Sequence, residues 1–278
     1  MVTSLPPGTL KGRTLAVSVS QSSDLARLGL SDEHLRLTLG EITRLVLGAG
    51  GHLAYGGHLD PGGYTSALTA EAARQGRGDH PVLVCLAWPE HRRLTLSELR
   101  IRLDLGPVGR VVCLDPAGRE TDPAAERGEP AETVDPDVAR ASLTAMRRYM
   151  RAHTDGRLLV GGRRAGFQGE LPGLLEEALL SLHPGDTRPL YLAAGFGGVT
   201  VDIVRALGID DCAWLPDDPD AEQDDPRLLA GLEQLRARAK APGLSNGLTL
   251  EENRSLAVSR SPGEVAELVA LGLGRLAS

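Results

Sequence analysis

Four stretches of the chain combine glycine with small polar residues in a way that suits binding of negatively charged oxygens. They are residues 18–24 (SVSQSSD), 55–65 (YGGHLDPGGYT), 161–173 (GGRRAGFQGELPG) and 194–200 (AGFGGVT). Each follows an apolar run and precedes a helical pattern. Glycine lets backbone N–H groups approach an anion, and the helix start behind it adds about half a positive charge. A phosphate is the natural guest. The contacting positions expected on this reading are Ser18, Ser20 and Gln21 in the first stretch, and Gly56, Gly57, Tyr64 and Thr65 in the second. The third supplies Gly161, Gly162, Arg163, Gly169, Pro172 and Gly173, and the fourth Gly195, Phe196, Gly197 and Gly198. Any one of these clusters alone reads more readily as a mere tight turn; the coincidence of four carries the inference.

The third stretch is the richest. Arg163 and Arg164 bring fixed positive charge that can grip a phosphate bidentately. One helical turn beyond Pro172 and Gly173 stand Glu176 and Glu177, which can accept from ribose hydroxyls or simply favour the positive end of a helix. Tyr64, Phe167 and Phe196 fall in these stretches of a chain with few aromatics, so each is a candidate either for stacking on a base or for packing. A P-loop, HExxH, GxSxG, and a GxGxxG directly after the first strand are all missing. The seven histidines show no ligand spacing, so neither a metal nor a cofactor is called for, and no catalytic residue is assigned.

The elements that must position these stretches follow from hydrophobic periodicity. Residues 14–20 form a short buried strand. Ser31 then caps a helix with Asp32 and Glu33 in its first turn and a stripe of Leu35, Leu39, Ile42 and Val46, ended by Gly48, Gly50 and Gly51. Residues 52–55 make a second strand, 65–73 a helix, 81–88 a strand and 110–115 another. Residues 92–103 fit neither a helix nor a hairpin cleanly. Asp135 and Pro136 open a helix to about Ala152. Strands follow at 157–161 and 189–194, and residues 212–215 offer an edge strand. Thr249 with Glu252, and Ser261 with Pro262 and Glu264, are capping boxes for the last two helices. Residues 116–136 and 216–226, rich in Pro, Gly and acids, read as mobile loops. Strands alternating with helices predict an α/β fold: a Rossmann-like doubly wound parallel sheet with helices on both faces, as one domain over residues 1–278. In such a sheet all four glycine stretches emerge on one edge, where open α/β sheets hold ligands.

Composition narrows the partners. With 30 Lys and Arg against 37 Asp and Glu, the net charge is −7 and the arginines are scattered among acids, which disfavours nucleic acid. Cys85, Cys113 and Cys212 are far apart and read as small buried hydrophobes rather than as a disulfide or zinc set. With no leader-like start and no run long enough to span a bilayer, a cytoplasmic protein without a membrane partner is expected.

The stretches LAYGGHLDPGGYT, GGRRAGFQGELPGLLEEALL and PLYLAAGFGGVTVD, in that order, resemble the SLOG superfamily, named for the Smf and LOG proteins. The resemblance runs from Thr14 to about Gly208. It is nearest to the SLOG sensor domains of TIR- and Sir2-linked prokaryotic conflict systems, Thoeris systems among them. It implies a Rossmann-like fold and an NAD-derived ligand such as ADP-ribose or a cyclic ADP-ribose isomer. Gly161, Gly162 and Arg163 would then lie at phosphates and Glu177 near a ribose, with residues 195–198 closing the pocket. It also implies a TIR or other effector protein as partner and a homo-oligomer. LOG-type phosphoribohydrolases carry PGGxGTxxE. Here the run is Pro172, Gly173, Leu174, Leu175, Glu176, Glu177, so the second glycine and the Gly-Thr pair are missing.

Two functional readings remain, beside a bland third in which the chain is a scaffold and its glycine loops are structural relics. The first is a sensor of a nucleotide-derived small molecule in defence or signalling. The second is a nucleoside monophosphate N-glycosidase in which Glu176 or Glu177, with Arg163, stabilises an oxocarbenium-like species.

Overall fold

The computed structural model describes residues 5–124, 130, 134–183, 185–216, 225–238 and 244–277. Its centre is a six-stranded, all-parallel sheet. Strand β1 (Thr14–Ser20) leads through α1 (Asp32–Gly48) to β2 (His52–Gly56), then through α2 (Tyr64–Arg74) to β3 (Val82–Leu86). Helices α3 (Trp88–Arg92) and α4 (Leu96–Leu103) precede β4 (Gly109–Cys113). Helix α5 (Pro136–Ala152) then crosses back to β5 (Gly156–Gly161). Next come α6 (Gly173–Ser181), β6 (Leu190–Ala193) and α7 (Val199–Ala206). The chain closes with α8 (Pro226–Arg238), α9 (Leu250–Val258) and α10 (Pro262–Ala277).

The spatial order is β4-β3-β2-β1-β5-β6, so the chain winds outward from β1 in one direction and, after α5, from β5 in the other. This is the doubly wound α/β arrangement expected from the alternation of elements. Side chains on β1 show why two layers of helix are needed. Leu15, Val17 and Val19 point into a core shared with Leu35, Leu39 and Ile42 of α1 and Val265 and Val269 of α10. The intervening Ala16 meets Met146 and Met150 of α5 on the opposite face. A third cluster joins Leu159 of β5 to Leu175 of α6, Val204 of α7 and Leu232 of α8. Each fully buried aliphatic side chain of this kind contributes about 1.5–3 kcal/mol.

Several local expectations are settled by capping chemistry. Asp135 accepts from the amides of Asp137 and Val138 and Pro136 is the first helical residue, which starts α5 where the sequence places it. The ambiguous stretch 92–103 ends in a helix, because Thr95 and Glu98 form a reciprocal capping box ahead of Leu96. Thr249 and Glu252 do the same for α9. At α10 half of the box forms, the Glu264 amide donating to Ser261 Oγ at 3.4 Å; the Glu264 carboxylate instead accepts from Ser259 Oγ at 2.6 Å, and that hydroxyl, rather than Glu264, accepts from the Ser261 amide.

Residues 212–215 add no edge strand. Cys212 has φ +54° and its amide bonds Asp210 Oδ1 at 2.7 Å, a turn that cannot continue the ladder, so the sheet ends at β6. Helix α8 has no counterpart in the sequence reading. Residues 116–124 fold back, pairing Leu114 with Glu120 as an isolated antiparallel bridge. The rest of the two segments expected to be loops, 125–129, 131–133 and 217–224, lies outside the described residues. Cys85, Cys113 and Cys212 are buried thiols. Among the described residues no helix is long and apolar enough to cross a membrane.

Candidate functional site

β1 and β5 lie side by side, yet their chains leave in opposite directions, which opens a crevice above their carboxyl ends. A cleft of about 400 Å³ occupies it. Of the positions expected from sequence, Ser18, Ser20, Gly56, Gly57, Arg163, Gly169, Gly173 and Glu177 line this one cleft. They come from three of the four glycine stretches, so distant turns do converge.

The turn after β5 is set by backbone. Gly161 has φ +71°, and a Cβ there would stand 2.4 Å from the Ser20 carbonyl, so only glycine allows β1 and β5 to part so closely. The Gly162 amide bonds Ser20 O at 2.9 Å, which fixes where the following arginines begin. Arg163 is exposed, lines the cleft and has no ion-pair partner among the described residues. The loop then closes on α6, whose first residues, Gly173 and Leu174, also face the cleft. Helix starts leave their first amides without intrahelical partners, and these carry the positive end of the dipole.

Below this opening lies a four-membered charge cluster. Arg147 of α5 pairs with Glu176 and stands 3.8 Å from Glu177, while Arg157 of β5 lies 2.7 Å from Glu177 Oε2 and 3.2 Å from Ser18 Oγ. All four charged groups are buried. Within the cluster the contact of Arg157 with Glu177 is Coulombic rather than an aligned hydrogen bond. Arg157 Nη2 and Glu177 Oε2 have no hydrogen-bond partner among the described residues. These two atoms lack hydrogen bonds although Arg157 Nη1 and Glu177 Oε2 form the ion pair, an arrangement rare for buried polar groups. Burial raises the pKa of the neighbouring Tyr55 hydroxyl, and the Glu177 charge pushes it further in the same direction, so that phenol stays neutral.

The fourth stretch behaves differently. Gly195, Phe196, Gly197 and Gly198 are buried and line no part of the cleft. The start of α7 already holds an anion, the carboxylate of Asp24. It accepts from the Gly198 amide at 2.7 Å, from Arg164 Nη1 at 2.8 Å and from Arg27 Nη2 at 2.6 Å. Gly198 has φ +69° and its missing Cβ would fall 2.1 Å from the Gly162 carbonyl, so this loop is welded to the turn after β5. Arg164 spans Asp24 and Asp202 and is therefore a strut, not a free phosphate ligand. Burial alone would raise the pKa of Asp24. Arg164, the Gly198 amide and Arg27 outweigh it and hold the carboxyl below its ordinary value.

The remaining expected positions are structural or peripheral. Gln21 donates to Asp32, and the Tyr64 hydroxyl donates to the same carboxylate beneath the Arg36 guanidinium. Thr65 Oγ1 bonds the His58 carbonyl. Gly161, Gly162, Pro172 and Glu176 are buried behind the cleft wall.

Arg147, Arg157 and Phe167's neighbour Arg227 are among the lining or supporting residues that escape sequence reasoning, as are Asp60, Glu90 and Arg93. A signal exists for two. Arg147 sits within the buried Met146, Tyr149 and Met150 stripe of an amphipathic helix, and Arg157 opens a strand buried throughout. Charges in such places are rare unless paired.

A family model described as SLOG cluster2 matches residues 9–256, which include all six strands and the whole cleft. No curated protein and no solved structure matches the chain.

Proposed function

The chain belongs to the SLOG superfamily, in the group described as SLOG cluster2, and from that premise we propose that its cleft binds a nucleotide- or NAD-derived ligand of the ADP-ribose or cyclic ADP-ribose type. One observation carries the reading. Within one crevice at the strand switch point, Arg163, without an ion pair among the described residues, and the first amides of α6 stand near Glu177, whose Oε2 is ion-paired with Arg157 but accepts no hydrogen bond there. Cationic donors suit phosphate oxygens, and a carboxylate acceptor suits sugar hydroxyls. A molecule that offers both groups fills both needs. The protein then acts as a sensor that passes binding energy to an effector, such as a TIR protein, or to its own homo-oligomer.

Calorimetry with ADP-ribose, cyclic ADP-ribose isomers, NAD and AMP, with chromatography for released base, tests this directly. Binding without turnover is the expected result; no binding by any of the four overturns it. Arg163→Ala removes a charge-assisted contact of about 1.5–3 kcal/mol, so affinity for the bound member of the panel falls tenfold or more. Unchanged affinity takes Arg163 out of the site.

A second reading is favoured by Glu177, which lines the cleft and whose Oε2 accepts no hydrogen bond beside its ion pair with Arg157. In an N-glycosidase that oxygen would stabilise positive charge on the ribose as the base departs and water adds, giving free base and ribose 5-phosphate. Glu176 offers no second carboxylate at the cleft, because Arg147 holds it behind the wall. Released adenine in the AMP arm would establish this reading in place of the sensor.

A further inference from the structure

Of the three aromatic side chains placed near the glycine stretches, only one reaches the cleft. Phe196 is fully buried, and Tyr64 is sealed by Asp32 and Arg36. Phe167 is half-buried and lines the cleft beside Arg163 and Gly169. The Arg227 guanidinium lies 4.2 Å from the centre of its ring, and Arg227 is not itself a lining residue, so it backs the ring from outside.

Arg227 is held there on purpose-built contacts. Asp225 accepts from its Nε at 3.1 Å and from Nη2 at 2.7 Å, and Nη1 reaches the Gly169 carbonyl at 3.4 Å. A cation in the first turn of a helix opposes the helix dipole, and Arg227 is the second residue of α8. The sequence tolerates that unfavourable position while Asp225 orients the guanidinium plane over Phe167. The result is a ring on the phosphate-binding loop whose outer face is covered and whose orientation is fixed before any ligand arrives.

We propose that Phe167, backed by Arg227, is a stacking platform for the nucleobase of the ligand, so that the cleft recognises a base-bearing nucleotide rather than a sugar phosphate alone. This rests on the nucleotide reading of the cleft and adds to it the part that distinguishes a nucleotide from ribose 5-phosphate. Stacking on an aromatic ring tolerates any base, since every base has a π-face.

The test compares AMP with ribose 5-phosphate, which differ only by the base, in calorimetric titrations of the full chain. Phe167→Ala is expected to weaken AMP about tenfold and leave ribose 5-phosphate unchanged. Arg227→Gln should weaken AMP less, again without touching the sugar phosphate. Phe167→Trp should keep AMP affinity, and its tryptophan emission should be quenched by AMP and not by ribose 5-phosphate. AMP binding that is indifferent to Phe167→Ala, or equal losses for both ligands, overturns the platform while leaving the phosphate site standing. No binding of either ligand to the unaltered chain overturns the platform; the nucleotide reading falls with it only if ADP-ribose, cyclic ADP-ribose isomers and NAD also fail to bind.

Discussion

Replacing Asp24 with alanine is expected to lower the free energy of unfolding by about 3–5 kcal/mol, the usual effect of removing one partner from a buried ion pair. Asp24 is fully buried and is the shared acceptor for Arg164, Arg27 and the Gly198 amide. Without it the start of α7 and one end of the Arg164 strut face an empty space, and the loops after β1, β5 and β6 lose their common tie. Urea unfolding at neutral pH measures the loss; a difference below about 1 kcal/mol, within the range of an exposed pair, would sink the idea. Because the native carboxyl titrates below its ordinary value, its contribution is complete above the unfolded pKa of about 4 and disappears as the pH falls through the depressed native one. The acid limb of the stability profile should therefore be steeper in the unaltered protein than in Asp24→Ala. Sulfate offers an independent check. If the carboxylate occupies an anion site at a helix start, sulfate should restore part of the lost stability in Asp24→Ala and little in an unrelated destabilised variant.

That result bears on how much of the site could be read from residues alone. The six strands and the edge on which the glycine stretches gather follow from local patterns: buried runs such as TLAVSVS, a capped start at Asp135, turns that need glycine. Which stretch is open and which is filled does not. Asp24 and Gly198 are 174 positions apart, and nothing in AGFGGVT itself reveals that a distant carboxylate already sits at its amides. Arg164 and Arg163 look interchangeable in sequence, yet one is a strut between two aspartates and the other has no ion pair among the described residues, a difference made by long-range contacts. The capping box at Thr95 and Glu98, in contrast, is a local signal that the sequence reading leaves out, and it decides the stretch whose apolar residues fit no period. Local chemistry marks where the chain turns, whereas tertiary pairing decides which turns keep donors to spare.

The same distinction governs the cluster under the cleft. Arg157→Met alone should destabilise the fold by about 3–5 kcal/mol, since Glu177 would keep only Arg147, at 3.8 Å and already paired with Glu176. Replacing both members, as Arg157→Met with Glu177→Leu, should bring stability back to within about 1 kcal/mol of the starting protein. A buried ion pair exchanged for apolar residues of similar volume is often neutral or better. The double variant should nevertheless bind the nucleotide ligand at least tenfold more weakly, because it lacks the carboxylate that Glu177 brings to the cleft wall. A thermodynamic cycle of the two singles and the double, run once by urea unfolding and once by ligand titration, separates these outcomes. If the double variant stays as unstable as Arg157→Met, the pair is a structural necessity; if it is stable and still binds, Glu177 touches no ligand. Stability recovered with binding lost is the expected combination, and it is the one that makes sense of a charged pair, incompletely bonded, in the middle of an otherwise apolar sheet.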